Sequence, residues 1–175
     1  MRKRFIVFGH KRHGKDTVGE YLREHYGIHF DSSSMFICKK FLFEKMRHSH
    51  GYQTIEECFE DRVNHRPYWF DEIRAYTLAE PTRLGREIFQ ENEMYCGIRS
   101  EIEYHALRNA GVFDLGIFVD ASERLPKEDY ESMKLGANDA DIVIPNNGTL
   151  EELYFRVDRL MQAMGYNRIT KKEAA

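Results

Sequence analysis

The chain has 175 residues, a formal net charge of −3 at pH 7, 42% hydrophobic residues and 31% charged residues. This is the composition of a globular domain long enough to need no disulfide or metal for its core. The acidic balance argues against binding nucleic acid through bulk positive charge, and no apolar run approaches the roughly 20 residues that span a membrane. The three scattered cysteines, Cys38, Cys58 and Cys96, argue against a zinc site or a disulfide framework and favour free thiols in a reducing cytoplasm.

Apolar periodicity and capping residues predict short strands that alternate with helices. The expected strands are Phe5–Phe8, a second one ending near Phe30, Met94–Ile98, Leu115–Val119 and 139–144. Helices are expected over 15–26, 35–46 and 101–110. Two more are expected to begin at the capping pair Thr54 and Glu57 and at Thr149, and two others to have Pro67 and Pro81 in their first turns. We expect the tail, 170–175, to be frayed. The pattern predicts a three-layer α/β fold with a mostly parallel five-stranded sheet, whose ligands collect at the carboxyl ends of the strands.

A glycine-rich segment follows the first predicted strand and opens the first predicted helix. It reads Gly9-His10-Lys11-Arg12-His13-Gly14-Lys15-Asp16-Thr17, with the Gly-x4-Gly-Lys spacing of a phosphate-binding loop. Glycines let successive N–H groups converge on one anion, the helix N-terminus adds positive potential, and Lys15 reaches the outer phosphates. The alternative is a basic surface turn at which Gly14 merely begins a helix. We predict that residues 9–17 bind a nucleotide polyphosphate.

The residue after the loop lysine departs from the usual pattern. A Ser or Thr at this place binds magnesium through its hydroxyl, whereas this chain has Asp16 followed by Thr17. A carboxylate can hold hydrated Mg²⁺ directly or through water, and it repels phosphate when no metal is present. Asp16 and Thr17 are therefore the metal candidates. The alternative for Asp16 is an acid that the helix dipole favours in the first turn.

Several segments together resemble the deoxynucleoside monophosphate kinases of bacteriophages. They are Gly14-Lys15-Asp16-Thr17, Phe30-Asp31-Ser32-Ser33-Ser34, 83–87, 95–103, 119–122 with Arg124, and 139–149. These segments are spread along nearly the whole chain. The resemblance implies a single P-loop kinase domain over 1–175, with a helical acceptor-binding insertion at about 32–92 and a short lid at about 122–136.

The resemblance also implies the reaction and its partners. The expected activity is transfer of the γ-phosphoryl group of ATP, with Mg²⁺, to a (deoxy)nucleoside monophosphate. The expected partners are nucleotide substrates and a second copy of the chain in a homodimer, with no membrane, and nucleic acid only as a modified-base substrate. The expected location is the cytoplasm, which is the host cytoplasm if the protein is viral.

Phosphoryl transfer needs cations that converge from different loops to neutralise the developing charge. The catalytic candidates are Lys15, Arg86, Arg99 and Arg124. Arg99 follows the third strand, and its planar fork suits an acceptor phosphate. The alternatives are an ion pair with Glu103 for Arg99 and a solvated helix face for Arg86.

The acceptor-binding candidates include two of these arginines and several residues of the insertion. They are Asp31, Ser32, Arg66, Trp69, Arg86, Arg99 and Glu103. The alternatives are helix capping for Asp31 and Ser32, a helix-surface acid for Glu103, and ordinary core for the aromatic run 68–70. Asn146 and Asn147 follow the last strand, where main-chain atoms are expected to line the adenine pocket.

A second departure is Gly97, which stands where many related kinases have an aspartate that orders a magnesium-bound water. Either Asp16 takes over that task, Asp120 contributes from the next strand, or the activity is low. Two other functions therefore stay open. One is a kinase for a hydroxymethylated pyrimidine as a nucleotide or within DNA. The other is a nucleotide-binding module without turnover.

Overall fold

The computed structural model of the protein describes residues 2–129 and 133–169. Its centre is a sheet of five parallel strands in the order β2-β3-β1-β4-β5. The strands are β1 (Phe5–Phe8), β2 (Phe30–Ser32), β3 (Met94–Cys96), β4 (Leu115–Asp120) and β5 (Ile142–Pro145). The predicted parallel five-stranded sheet is confirmed, with the glycine-rich loop at the carboxyl end of its central strand.

Helices account for most of the chain between the strands. They are α1 (Lys15–Tyr26), α2 (Ser33–Ile37), α3 (Phe43–His50), α4 (Ile55–Asp61), α5 (Arg66–Leu78), α6 (Arg83–Glu91), α7 (Glu101–Asn109) and α8 (Leu150–Ala163). A π-helical turn, Cys38–Leu42, joins α2 to α3, and a short 3₁₀ turn, Ala137–Asp139, precedes β5. Helices α2 to α6 all lie between β2 and β3, in the region predicted to cover the acceptor. In the described ranges no helix is both long enough and apolar enough to cross a bilayer.

The two faces of the sheet carry separate apolar clusters because successive side chains of a strand point to opposite sides. Phe5 and Val7 of β1 pack with Val18 of α1 and Val157 of α8 on one face. Ile6 and Phe8 of the same strand pack on the other face, in a cluster that includes residues of α2, α6 and α7. A sheet covered on both sides by helices is the predicted three-layer α/β architecture, which is confirmed.

The predicted helix caps are confirmed, but the helix predicted over 35–46 begins at Ser33 and is interrupted by the π-helical turn Cys38–Leu42. Ser32 Oγ accepts the Met35 N–H at 3.1 Å, and Thr54 forms a capping box with Glu57. Thr149 caps α8, and Pro67 lies in the first turn of α5. The prediction for Pro81 is wrong by two positions, since α6 begins at Arg83 after the N-cap Thr82.

Two predicted strand boundaries are also wrong, and each has a local cause. β3 ends at Cys96 because Gly97 has a φ of +85° and leaves the extended conformation. β5 begins at Ile142 because Ala137–Asp139 form a 3₁₀ turn, and Asp141 Oδ2 accepts the Gly116 N–H at 2.7 Å just before the strand. The predicted frayed tail, 170–175, and the part of the predicted lid at 130–132 lie outside the described residues.

Candidate active site

The glycine-rich loop has a backbone that only glycine permits at two positions. Gly14 has a φ of +98°, and a Cβ there would lie 2.4 Å from Nδ2 of Asn146. At Gly9 a Cβ would lie 2.5 Å from the main-chain oxygen of Val119 in β4. In the described part of the chain no side chain caps the start of α1, so its first-turn N–H groups face the loop uncapped. This is the geometry that binds a phosphate group.

The turn after β5 contacts the glycine-rich loop through Asn146. The Asn146 side chain is buried, and its Nδ2 donates to the His13 main-chain oxygen at 2.9 Å. The Asn146 main-chain N–H donates to the Asp120 oxygen at 2.6 Å, and Arg124 Nε donates to the Asn146 oxygen at the same distance. Asn147 Oδ1 accepts the N–H of Glu123 at 3.2 Å. Asn146 thus contacts the loop directly, whereas Asn147 and Arg124 join the turn after β5 to the segment after β4. The predicted contacts of these three residues with ATP stay a prediction.

The two loop histidines contact the segment that follows β4. His13 is fully buried, its Nδ1 accepting the Ala121 N–H at 3.0 Å and its Nε2 facing the Pro126 oxygen at 3.4 Å. His10 is nearly buried, and its Nδ1 accepts the Glu128 N–H at 3.1 Å. Burial lowers the pKa of His10, and so does the neighbouring His13. Both rings thus contact the segment after β4, and the predicted contacts of His10 and His13 with ATP stay a prediction.

Lys15 lies between Asp16 and the end of β3. Its Nζ is 3.1 Å from Asp16 Oδ2, and its side chain is 13% exposed, against 66% for Asp16. The Cys96 thiol donates to Asp16 Oδ1 at 3.5 Å. A Cβ at Gly97 would lie 3.4 Å from Cε of Lys15, so the position where the resemblance predicts an aspartate adjoins the lysine. The exposed carboxylate of this region therefore comes from the loop itself.

Asp16 and Thr17 fit a magnesium ion whose other ligands come from a bound nucleotide and water. The described residues contain no group of three or more His, Cys, Asp or Glu side chains arranged to hold a metal. Mg²⁺ commonly binds one or two carboxylates together with substrate phosphates and water, which needs no such group. Asp16 and Thr17 would supply the protein ligands. Asp120, the alternative donor, uses its two oxygens to accept the Ser122 N–H at 3.0 Å and Oγ–H at 3.1 Å.

Arg99 pairs with an acid that the sequence analysis missed. Its Nη1 donates to Glu128 Oε1 at 3.0 Å, where the sequence had offered Glu103 as the ion-pair alternative. Glu128 Oε2 accepts the Lys11 N–H at 2.6 Å. Burial raises the pKa of Glu128, but the hydrogen bonds from Arg99 and from the Lys11 amide lower it by more. The net shift of this pKa is therefore downward. A charged carboxylate therefore joins Arg99 to the glycine-rich loop.

Glu103 is buried, so the alternative of a helix-surface acid is wrong. It is 5% exposed at the start of α7, and its Oε1 accepts the Tyr95 hydroxyl at 3.1 Å. Burial raises the pKa of Glu103 to about 7, although the Tyr95 hydrogen bond acts in the opposite direction. Burial therefore favours the protonated form of this carboxyl group. Its predicted contact with the acceptor stays a prediction.

The other acceptor candidates divide between the strand edge and the helical insertion. Asp31 is 8% exposed, and its Oδ2 pairs with Lys39 Nζ at 2.9 Å. Ser32 caps α2, so the capping alternative is confirmed for this side chain. Arg86 is exposed on α6 and donates to Thr82 Oγ1 at 3.2 Å, while Arg66 is exposed at the start of α5.

The aromatic run 68–70 is split between core and surface. Trp69 is 3% exposed and lies 6.3 Å from Phe59, ring centre to ring centre. Tyr68 and Phe70 are 41% and 47% exposed. The structure therefore favours the core interpretation for Trp69, and its burial does not support the predicted contact with the acceptor.

Arg62 is a second residue that the sequence analysis did not select. Its guanidinium carbon lies 3.7 Å above the centre of the Phe59 ring, and Nη1 donates to the Phe59 oxygen at 2.7 Å. Burial lowers its pKa, and the charge of Asp16 partly offsets that effect. The helical insertion thus places a half-buried cation within electrostatic range of the phosphate loop. Only the fold reveals this, because 46 residues separate Arg62 from Asp16 in the sequence.

Replacing Glu103 tests its burial through the pH dependence of stability. A carboxyl group whose pKa is higher in the folded state stabilises the fold fully below its unfolded pKa and loses that contribution as pH rises through about 7. We expect the stability of Glu103→Gln relative to wild type to rise by about 2–3 kcal/mol between pH 4.5 and pH 8. Urea unfolding across this range measures it. Glu101→Gln, in the same helical turn, is the control, and parallel curves for wild type and Glu103→Gln would contradict the assignment.

Comparisons with known proteins place the fold. No protein-family model matches the chain, and no curated protein is similar to it. Among solved structures it is similar to the shikimate kinase of Bacteroides thetaiotaomicron, with 10% identical residues and a TM-score of 0.50 over 93% of this chain and 98% of that one. The chain therefore shares the three-layer α/β fold of this kinase. Similarity at this level of identity shows the fold alone, so the narrower resemblance to bacteriophage deoxynucleoside monophosphate kinases stays a prediction.

Proposed function

We propose that the protein is an ATP-dependent phosphotransferase. The observation that carries the proposal is the loop over residues 9–14, which joins the central strand to α1 and excludes a side chain at both Gly9 and Gly14. A backbone held this tightly, with uncapped N–H groups and Lys15 beside it, suits a polyphosphate. The P-loop kinase fold supports the same assignment.

The roles of the charged residues follow from where negative charge develops during phosphoryl transfer. Lys15 and the amides of the loop would hold the β- and γ-phosphates of ATP. Arg99 and Arg124 lie on the segments after β3 and β4, from which they would reach the transferred group. Asp16 and Thr17 would hold Mg²⁺, which supplies charge neutralisation between the phosphates when it is bound.

The acceptor that we propose is a (deoxy)nucleoside monophosphate. The resemblance of the chain to bacteriophage kinases supports this choice, and it includes Glu103, in the first turn of α7, among the acceptor candidates. Arg62 offers a cation from the insertion that suits an acceptor phosphate. We place the reaction in the cytoplasm, in keeping with the three free cysteine thiols. A homodimer is part of the same proposal, and sedimentation would test it.

A phosphoryl-acceptor screen tests this function. The purified protein is incubated with γ-labelled ATP, Mg²⁺ and separate ribo- and deoxynucleoside monophosphates, hydroxymethylated pyrimidine nucleotides, or duplex DNA that carries hydroxymethylated bases. We expect label in a nucleoside diphosphate and release of ADP. Label on a hydroxymethyl group would change the assigned acceptor class but would leave the assignment as a kinase in place. Tight ATP binding with no transfer to any acceptor would contradict the enzyme and favour a nucleotide-binding module.

A further inference from the structure

The segment over residues 121–128 lies across the phosphate loop and presents a carboxylate to it. Glu128 Oε2 accepts the Lys11 N–H at 2.6 Å, and Oε1 accepts Arg99 Nη1 at 3.0 Å. The side chain is only 16% exposed. A loop amide and a guanidinium are the two kinds of donor that bind phosphate oxygens in kinases. The Glu128 carboxylate thus occupies hydrogen-bond donors that an anionic ligand of the loop would use.

The contacts around Glu128 also anchor the segment at its far end. The Glu128 N–H donates to His10 Nδ1 at 3.1 Å, so the main chain and the side chain of one residue both contact the loop. His13 contacts the start and the middle of the segment, through the Ala121 N–H and the Pro126 oxygen. If the carboxylate left, these histidine contacts would still hold the segment near the loop. The carboxylate is therefore the part of the contact that another anion can replace.

We propose that Glu128 is an internal competitor of phosphate, whose carboxylate an incoming phosphoryl group must displace from Lys11 and Arg99. The inference rests on the proposed function in one respect only, which is that the loop binds phosphate. The displacement breaks the contact between the Glu128 carboxylate and Arg99 Nη1 as the phosphoryl group arrives. It also lowers the affinity for phosphate, because part of the binding free energy is used to break the contacts of Glu128.

Binding of inorganic tripolyphosphate to Glu128→Gln tests the competition. Glutamine keeps the size of the side chain and removes its charge, so we expect tripolyphosphate to bind about tenfold more tightly than to wild type, as measured by calorimetry. Glu123→Gln, an exposed acid of the same segment, is the matched control and should leave the affinity unchanged. Equal or weaker binding to Glu128→Gln overturns the inference while the proposed function stands. Absence of binding to every variant and to wild type overturns both.

A second measurement follows the amide hydrogens of the segment in wild type and in Glu128→Gln. If phosphate displaces the carboxylate, tripolyphosphate should change the hydrogen-exchange rates of amides in residues 121–128, the Glu128 amide included. In Glu128→Gln the same addition should change them less. Exchange rates in the wild-type segment that stay constant while tripolyphosphate saturates the loop overturn the inference.

Discussion

Lys15→Ala is expected to lower the turnover of phosphoryl transfer by at least ~10²-fold, because the ammonium assists where negative charge develops in the transition state. Its Nζ lies 3.1 Å from Asp16 Oδ2 at the start of α1, with 13% of the side chain exposed. The pair with Asp16 contributes little to stability, since the carboxylate is largely exposed. The loss should therefore be catalytic, with thermal unfolding close to that of wild type.

Initial rates with the acceptor found in the screen measure this effect. Lys3→Ala is the control, because Lys3 is an exposed lysine just before β1, at the opposite end of that strand from the loop. The proposed role also predicts where the effect falls. The rate constant should decrease more than the affinity for ATP, because the loop amides still hold the phosphates. Turnover like that of wild type in Lys15→Ala would remove this residue from the mechanism.

The glycine-rich loop could be predicted from the sequence because the residues that fix its conformation are close together in the chain. Two glycines, a lysine and their spacing fix the turn, and the strand before it and the helix after it follow from apolar runs of a few residues. Ser32, Thr54 and Thr149 were predictable as caps for the same reason, since each accepts an N–H only three residues ahead. Such contacts leave a pattern that a single sequence displays.

The contacts that complete the site could not be predicted, because they join residues far apart in the chain. Asn146 supports His13 across 133 residues, and Glu128 meets Lys11 across 117. Nothing in the charge run at 123–129 marks Glu128 as an acid whose carboxylate contacts the loop. The same limit applies to burial, since Glu103 has the N3 position typical of an exposed helical acid and becomes buried only when α7 packs on β3.

Gly9→Ala is expected to destabilise the fold by about 2–3 kcal/mol and to weaken ATP binding by roughly 10²-fold, because its methyl group has no room. The added Cβ would lie 2.5 Å from the main-chain oxygen of Val119. That oxygen belongs to β4, which pairs with β1 along its length, so it cannot move without disturbing the centre of the sheet. The start of the loop must shift instead, and with it the N–H groups that should converge on phosphate.

Urea unfolding and calorimetric titration with ATP measure the two effects of Gly9→Ala. Gly136→Ala is the matched control, because a Cβ at Gly136 meets no atom within 4 Å and the residue has an extended backbone. The control should differ little from wild type in both measurements. If Gly9→Ala lost stability but bound ATP normally, the close contact with Val119 would matter only for packing. Normal stability and normal affinity together would show that the loop does not have the tight backbone on which the kinase assignment depends.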